Sequence, residues 1–485
     1  DVDVPGWRKV AASVAALAGE GAATSVCKAG PKPRGGVSVC VLPFANMSGD
    51  AEQEYFSDGI SEDITTDLSK VSAMEVIARN TAFQFKGQSV DVGKIARKLN
   101  VSHVLEGSVR KAGSRVRITA QLIDGSSGGH VWAERYDREL DDIFAIQDEI
   151  SRAIVDALKV KLLPQEKQAI GDRCTCNAEA YNLYLMARNY WITGNHGDRR
   201  REERVIRLCS RAVEIDPDYA PAWALLSLAQ VILRFSYGQA GDDGTAAANR
   251  AIALDPGIAE AYVAMARFHG EHDALDEAMT SIERALELDP DSWEANKEAG
   301  RLLMRRRKIP EAASHYKRSV AVMDSDYHGW GMLLTCLHAT DDREEEKRVA
   351  NKTFAEVEKA LAQDPGNGAA ISFGVAALSV LGKKDQAKEW IDKALLLDPD
   401  NLNMRYNFAC ALAANLGDRE GAIALLETTL PRATGTLGVA ETDPELDSIR
   451  DDPRFQKLIA DRKAELARQA QPDANPAATS APPRS

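Results

Sequence analysis

The chain has 485 residues and a formal net charge of −13, with 60 Lys and Arg against 73 Asp and Glu. That balance excludes a general nucleic-acid binder, which needs a basic footprint. Hydrophobic residues make up 44% and aromatics only 6%, a mixture that supplies cores and suits helix packing better than a β-sandwich.

Residues 1–36 are rich in Ala, Gly and Pro and end in KAGPKPRGG. They are expected to form a flexible arm or the remnant of a membrane anchor. The most apolar stretch there, VAASVAALA at 10–18, is about half of the roughly 20 residues that a membrane helix needs. Any membrane association is therefore expected only through a missing or truncated amino-terminal anchor. The seven cysteines are scattered, so no disulfide framework is implied. Cys174 and Cys176 form the only close pair, too few ligands for a structural zinc site.

Regular structure is expected to start at Val37. VSVCVL (37–42) is an apolar run closed by Pro43 and reads as a buried strand. Ser61 is the expected N-cap of a helix over 61–71, with Asp58-Gly59 as the turn before it. Short elements follow: a strand at 74–78 and a helix at 92–99. Then HVLEGSVR (103–110), VRITAQLI (116–123) and HVWAERY (130–136) alternate around Gly/Ser turns and predict an antiparallel meander. A helix over 142–163, with Ile143, Ile146, Ile150, Ile154, Leu158 and Leu162 on one face, closes the unit. Residues 37–163 thus read as an α+β domain, and 164–177 as a linker.

From about 178 a repeat takes over. RAVEIDPDYA (211–220), RAIALDPGIA (250–259), RALELDPDSW (284–293), KALAQDPGNG (359–368) and KALLLDPDNL (393–402) recur, with a degenerate RSVAVMDSDY (318–327). Their equivalent positions are spaced by 39, 34, 34, 41 and 34 residues. A 34-residue period is the signature of tetratricopeptide repeats, pairs of antiparallel helices stacked into a superhelical all-α solenoid. The array is expected over 178–460, right-handed, with insertions near 235–244 and 339–347. Small residues at Ala266, Gly300, Ala278 and Ala312 are expected where paired helices approach closely. Residues 464–485 are expected to be a disordered tail.

The segments 37–87 and 91–150, VSVCVLPFANMSGDAEQEYFSDGISEDI onward, closely resemble a bacterial accessory domain similar to the amino-terminal domain of TolB. Such domains precede tetratricopeptide repeats in proteins resembling class III adenylate cyclases and winged-helix regulators. ETDPELDSIRDDPRFQKLI (441–459) resembles the element that closes such arrays. The resemblance implies an effector, a membrane-spanning segment, then this unit and its repeats, with the repeats on the periplasmic side of the inner membrane. The unpaired cysteines instead favour a reducing cytoplasm, so the compartment stays open. No effector precedes residue 37 in this sequence.

Catalytic and metal motifs are not expected. Phe56-Ser-Asp-Gly-Ile60 has only a superficial likeness to a cyclase metal motif. The 87–95 stretch misses the phosphate-loop spacing and its Ser/Thr. His269 and His272 have no third ligand. No cofactor is expected, and the chain reads as a non-enzymatic protein-interaction or sensory module. The alternatives are cyclic AMP synthesis and a fragment of a transcriptional regulator. Counting the inward positions of the repeats places Tyr181, Tyr184, Arg188, Arg267, Lys297, Arg301 and Arg305 on the concave surface. That basic line predicts a protein or peptide partner with an acidic segment or free carboxylate.

Overall fold

The computed structural model describes residues 37–50, 53–77, 79–88, 91–163, 166, 177–193, 199–237, 240–339, 342–432 and 437–469. The expected arm, most of the expected linker and residues 470–485 lie outside them.

The amino-terminal unit is a mixed sheet in the order β3-β1-β4-β5-β6. β1 (Val37–Val41) pairs in parallel with both β3 (Met74–Val76) and β4 (His103–Ala112). The short β2 (Ala45–Asn46) pairs in parallel with the far end of β4. β4, β5 (Arg115–Asp124) and β6 (His130–Glu139) form the antiparallel meander that the alternation predicts. The parallel half needs a crossover helix between β1 and β3, and this is α1 (Glu54–Ser69).

α1 corrects one expectation. It begins at Glu54 and runs straight through Asp58-Gly59 and Ser61. Ser61 lies mid-helix: its Oγ donates to the Ser57 carbonyl at 2.9 Å and accepts the Phe44 N–H at 2.9 Å. The hydroxyl binds a backbone amide, but that of the strand-to-helix loop rather than its own helix end. Gly59 sits inside the helix because a Cβ there would fall 2.5 Å from Leu185 Cδ2. Close approach outweighs the roughly 1 kcal/mol that glycine costs in a helix.

α2 (Arg79–Phe83) and α3 (Val92–Leu99) cover one face of the sheet over Cys40, Val101 and Val104. α4 (Ile143–Ala157) covers the other, burying Ile143, Ile146, Ile150 and Ile154. It ends short of the expected 163, where Lys159 takes φ +54°.

The rest of the described chain is helical hairpins. They are α5 (Ala178–Thr193) with α6 (Arg199–Ile215), α7 (Ala220–Tyr237) with α8 (Thr245–Leu254), and α9 (Ala259–Glu271) with α10 (Leu275–Leu288). α11 (Trp293–Arg305) with α12 (Ile309–Val322), α13 (Tyr327–His338) with α14 (Arg343–Gln363), and α15 (Gly368–Val380) with α16 (Lys384–Leu397) follow. α17 (Leu402–Ala411) with α18 (Arg419–Thr429) completes the series, and α19 (Leu437–Thr442), a 3₁₀ turn (Pro444–Ile449) and α20 (Pro453–Gln469) close it. Residues 464–469, expected in the disordered tail, are therefore helical.

The repeated Asp-Pro ends four second helices the same way. Asp255, Asp289, Asp364 and Asp398 sit at φ near −140° with positive ψ, because a residue before proline avoids the helical region. The 41-residue spacing is absorbed without a long loop: α14 has 21 residues where α10, α12 and α16 have 14. The insertion expected near 339–347 is two extra turns of helix. Ala266, Ala278 and Ala312 are fully buried, and a Cβ on Gly300 would lie 2.8 Å from the Tyr316 ring. One apolar core runs from Val39 of the sheet through Tyr181 and Trp191 to Leu302, so the α+β unit and the first repeats share it. No described helix is long and apolar enough to cross a membrane.

Candidate functional site

The seven residues read as a concave line fall on α5, α9 and α11. The structure separates their roles. Tyr181 is 3% exposed and does not face an open groove. Its ring packs edge-on against Phe144 at 5.1 Å. Its hydroxyl donates to Asp63 of α1 and accepts from Gln147 Nε2 of α4 at 3.0 Å. Tyr184 packs edge-on against Tyr219 at 5.2 Å. The flat surface expected of Tyr181 is thus spent on the junction with the α+β unit, and that of Tyr184 on Tyr219 within the array.

Arg188 stands at the centre of that junction. It reaches Glu294 of α11 at 3.2 Å, Glu62 of α1 at 3.7 Å and Glu260 of α9 at 4.0 Å. Trp191 Nε1 donates to the same Glu294 oxygen at 3.2 Å. Burial works against the Arg188 charge, but Glu294, Glu62 and Glu260 more than offset it, so the guanidinium holds its proton well above the ordinary value. Burial pushes the Glu62 carboxyl up, yet Arg79 and Arg188 hold it below the usual carboxylate range. Glu260 is different: burial dominates and its carboxyl lies above that range despite Arg188.

Further along, every expected cation already has an acidic neighbour. Arg267 pairs with Glu271 at 2.9 Å and Glu298 at 3.5 Å. Arg301 pairs with Glu298 at 2.6 Å and Glu271 at 3.3 Å. Lys297 pairs with Asp326 at 3.0 Å, and Arg305 with Asp273 at 2.6 Å. Arg305 also donates to the Gly270 carbonyl. The expected basic line is therefore a set of cations each already paired with an acid, an alternation of charge along α9 and α11. His328, set among these groups, is pushed down to about 3 by burial and by Lys297, and so is a neutral ring near pH 7.

Two of the acids were within reach of sequence spacing. Glu271 lies four residues after Arg267 and Glu298 three before Arg301, both helical neighbours. Glu62, Glu260, Glu294 and Asp326 come from other helices, and no local pattern marks them.

Two clefts open where the α+β unit meets the array. One, of about 690 Å³, lies between α1, α2 and α5 and the turn after α12; Asp58, Arg79, Lys86, Arg188 and Met323 are among its lining residues. The other, of about 420 Å³, is lined by Glu62, Asp63, Tyr184, Arg188, Tyr219 and Glu260 among others. Among the described residues, Cys410, Asp443 and Glu445 bring metal-ligating atoms within 4.8 Å of one another. Asp443 is occupied structurally: it accepts from Tyr406 at 2.9 Å and caps the 3₁₀ turn through the Glu445 N–H at 3.0 Å.

Comparison with known proteins fits this architecture. The tetratricopeptide repeat model matches residues 259–292 and 377–401. A protein described as "Putative adenylate cyclase 3" from Rhizobium meliloti (strain 1021) is 53% identical over 191 residues, which is 39% of this chain and 32% of the relative. The match thus spans about a third of that protein's length. The crystal structure of a thermophilic TPR protein from Thermus thermophilus superposes with a TM-score of 0.30 at 18% identity, over 43% of this chain and all of that one. YrrB, described as a TPR protein with an unusual peptide-binding site, superposes with a TM-score of 0.27 at 19% identity, over 45% of this chain and 99% of that one. The chain carries tetratricopeptide repeats, and such repeats are surfaces for protein–protein interaction.

Proposed function

We propose that the chain is the non-catalytic, accessory part of a bacterial signalling protein, a TolB-like unit joined to a tetratricopeptide array that binds a protein or peptide partner in its groove. The observation that carries this reading is the buried junction of Tyr181, Asp63 and Gln147 with the Arg188 cluster beside it. It couples the sheet domain to the first repeats, so a partner seated in the groove contacts both. The 53% match to a protein described as a putative adenylate cyclase supports the signalling context.

The partner's acidic segment or terminal carboxylate engages the cationic line of Arg188, Arg267, Lys297, Arg301 and Arg305. Because these cations hold resident carboxylates, an incoming one must exchange for them. Exchange is easiest at Arg305, whose partner Asp273 is 85% exposed and therefore contributes little in the free protein. Arg305→Ala, which also loses the bond to the Gly270 carbonyl, is expected to lower the unfolding free energy in urea by only about 1–2 kcal/mol, while weakening a captured partner about tenfold, as read by calorimetry. Unchanged affinity with an intact fold would remove Arg305 from the binding surface.

Cyclic AMP synthesis is the second reading, favoured by that same relative's description. Purified chain with ATP and manganese or magnesium is expected to give no turnover. Metal-dependent cyclic AMP formation, lost on a point change within the chain, would replace the accessory reading.

A further inference from the structure

We propose that two copies of this chain pair edge to edge through β6, making one continuous sheet across a two-fold axis at Tyr136. Among the described residues β6 is the outer strand of the sheet and is hydrogen-bonded only to β5. A ten-residue edge strand offers a row of backbone donors and acceptors for another strand.

The ladder fixes which groups are on offer. From 132 to 139 the strand runs in unbroken register with β5, Trp132 opposite Leu122 and Glu139 opposite Arg115. The Leu140 N–H donates to the Ser114 carbonyl at 2.6 Å, one step beyond the Glu139–Arg115 pair. Antiparallel pairs alternate between bonded and non-bonded, so the even-numbered residues of β6 bond to β5. The N–H and C=O groups of Ala133, Arg135, Asp137 and Glu139 then point outward. Ala133, Arg135 and Glu139 are exposed. The bulge at Leu122/Ile123 takes Val131 out of the ladder, which ends the free edge at Trp132.

Charged edge strands usually resist pairing. Here the charge order is self-complementary. With Tyr136 on the axis, Arg135 of one copy lies opposite Asp137 of the other, Glu134 opposite Arg138, and Ala133 opposite Glu139. The two-fold repeats each contact, and no like charges oppose. Trp132 meets Leu140 at both ends, two half-buried apolar side chains. Sliding the axis one residue either way sets Arg135 or Asp137 against its own copy. Asp137 already takes Arg115 at 2.9 Å and Arg117 on the open face, so Arg135 of the second copy extends an existing charge ladder. An antiparallel second copy therefore fits this edge on backbone and side-chain grounds together.

The test is sedimentation velocity on the full chain from about 1 to 100 μM, with circular dichroism as the folding control. A concentration-dependent dimer is expected. Glu134→Arg alone, or Arg138→Glu alone, puts two like-charge pairs across the axis and should raise the dimer Kd about tenfold. The double swap Glu134→Arg with Arg138→Glu should return it to within about threefold. Arg135→Pro removes an outward N–H without touching the β5 ladder and should abolish the dimer. A monomer at every concentration overturns the proposal. So does a dimer that survives Arg135→Pro, or a double swap no tighter than the single changes. If Arg135→Pro fails to fold, the charge-swap set decides alone.

Discussion

Arg188→Ala is expected to destabilise the protein by about 3–5 kcal/mol, the usual cost of stripping a partly buried charge cluster of one partner. Three carboxylates, Glu62, Glu260 and Glu294, converge on this one guanidinium. Its side chain is 16% exposed and that of Glu294 11%, so water screens the cluster poorly. Removing the cation leaves the carboxylates facing one another across the junction of the α+β unit and the array. The loss should depend on pH, and the direction is fixed. Glu62 sits below the usual carboxylate range in the folded protein. Its contribution is therefore present above its unfolded value, near 4.3, and lost as pH falls through the folded one. Without Arg188 both Glu62 and Glu260 rise, and their protonation on acidification relieves the repulsion. The gap in unfolding free energy between wild type and Arg188→Ala should narrow from pH 7 to pH 4.5 in urea titrations. A gap that stays constant would mean that lost packing, not charge, carries the effect.

The fold was legible where its determinants are local or periodic. The Asp-Pro spacing located the hairpins because proline stops a helix wherever it falls. The alternation in 116–123 exposed the meander because one face of β5 is buried: Val116, Ile118, Ala120 and Leu122 are all fully covered. What stayed hidden depends on distant partners. Gly59 looked like a turn residue because glycine and aspartate prefer turns; only Leu185, more than a hundred residues on, explains a glycine inside a helix. Tyr181 occupies an inward repeat position, but in the first repeat that position meets another domain instead of solvent. The count of repeat positions singled out these cations. It missed Asp326, which caps α13 through the His328 N–H at 3.1 Å and also takes Lys297 at 3.0 Å.

Charge reversal on α11 carries the other large effect. Arg301→Glu is expected to cost at least about 3–5 kcal/mol, unfolding the middle repeats first, because each repeat leans on its neighbours. Arg301 joins two helices: it bonds Glu298 on its own turn at 2.6 Å and Glu271 of α9 at 3.3 Å. Burial opposes its charge, but Glu298 and Glu271 hold its proton well above the ordinary value. Reversal sets three carboxylates together with Arg267 as their nearest shared cation. The side chain also lies over Gly270, where a Cβ would come within 2.8 Å of the Arg301 guanidinium, so there is little room for the new group to turn away. Swapping the pair, Arg301→Glu with Glu298→Arg, keeps the cluster's net charge and should recover about half of the loss or more. Urea unfolding at low salt, followed by circular dichroism at 222 nm, reads both variants. If Arg301→Glu matches wild type, the ion lattice is a solvated surface rather than part of what holds α9 to α11. If the swap recovers nothing, the side chain's stem and its fit over Gly270 matter more than its charge.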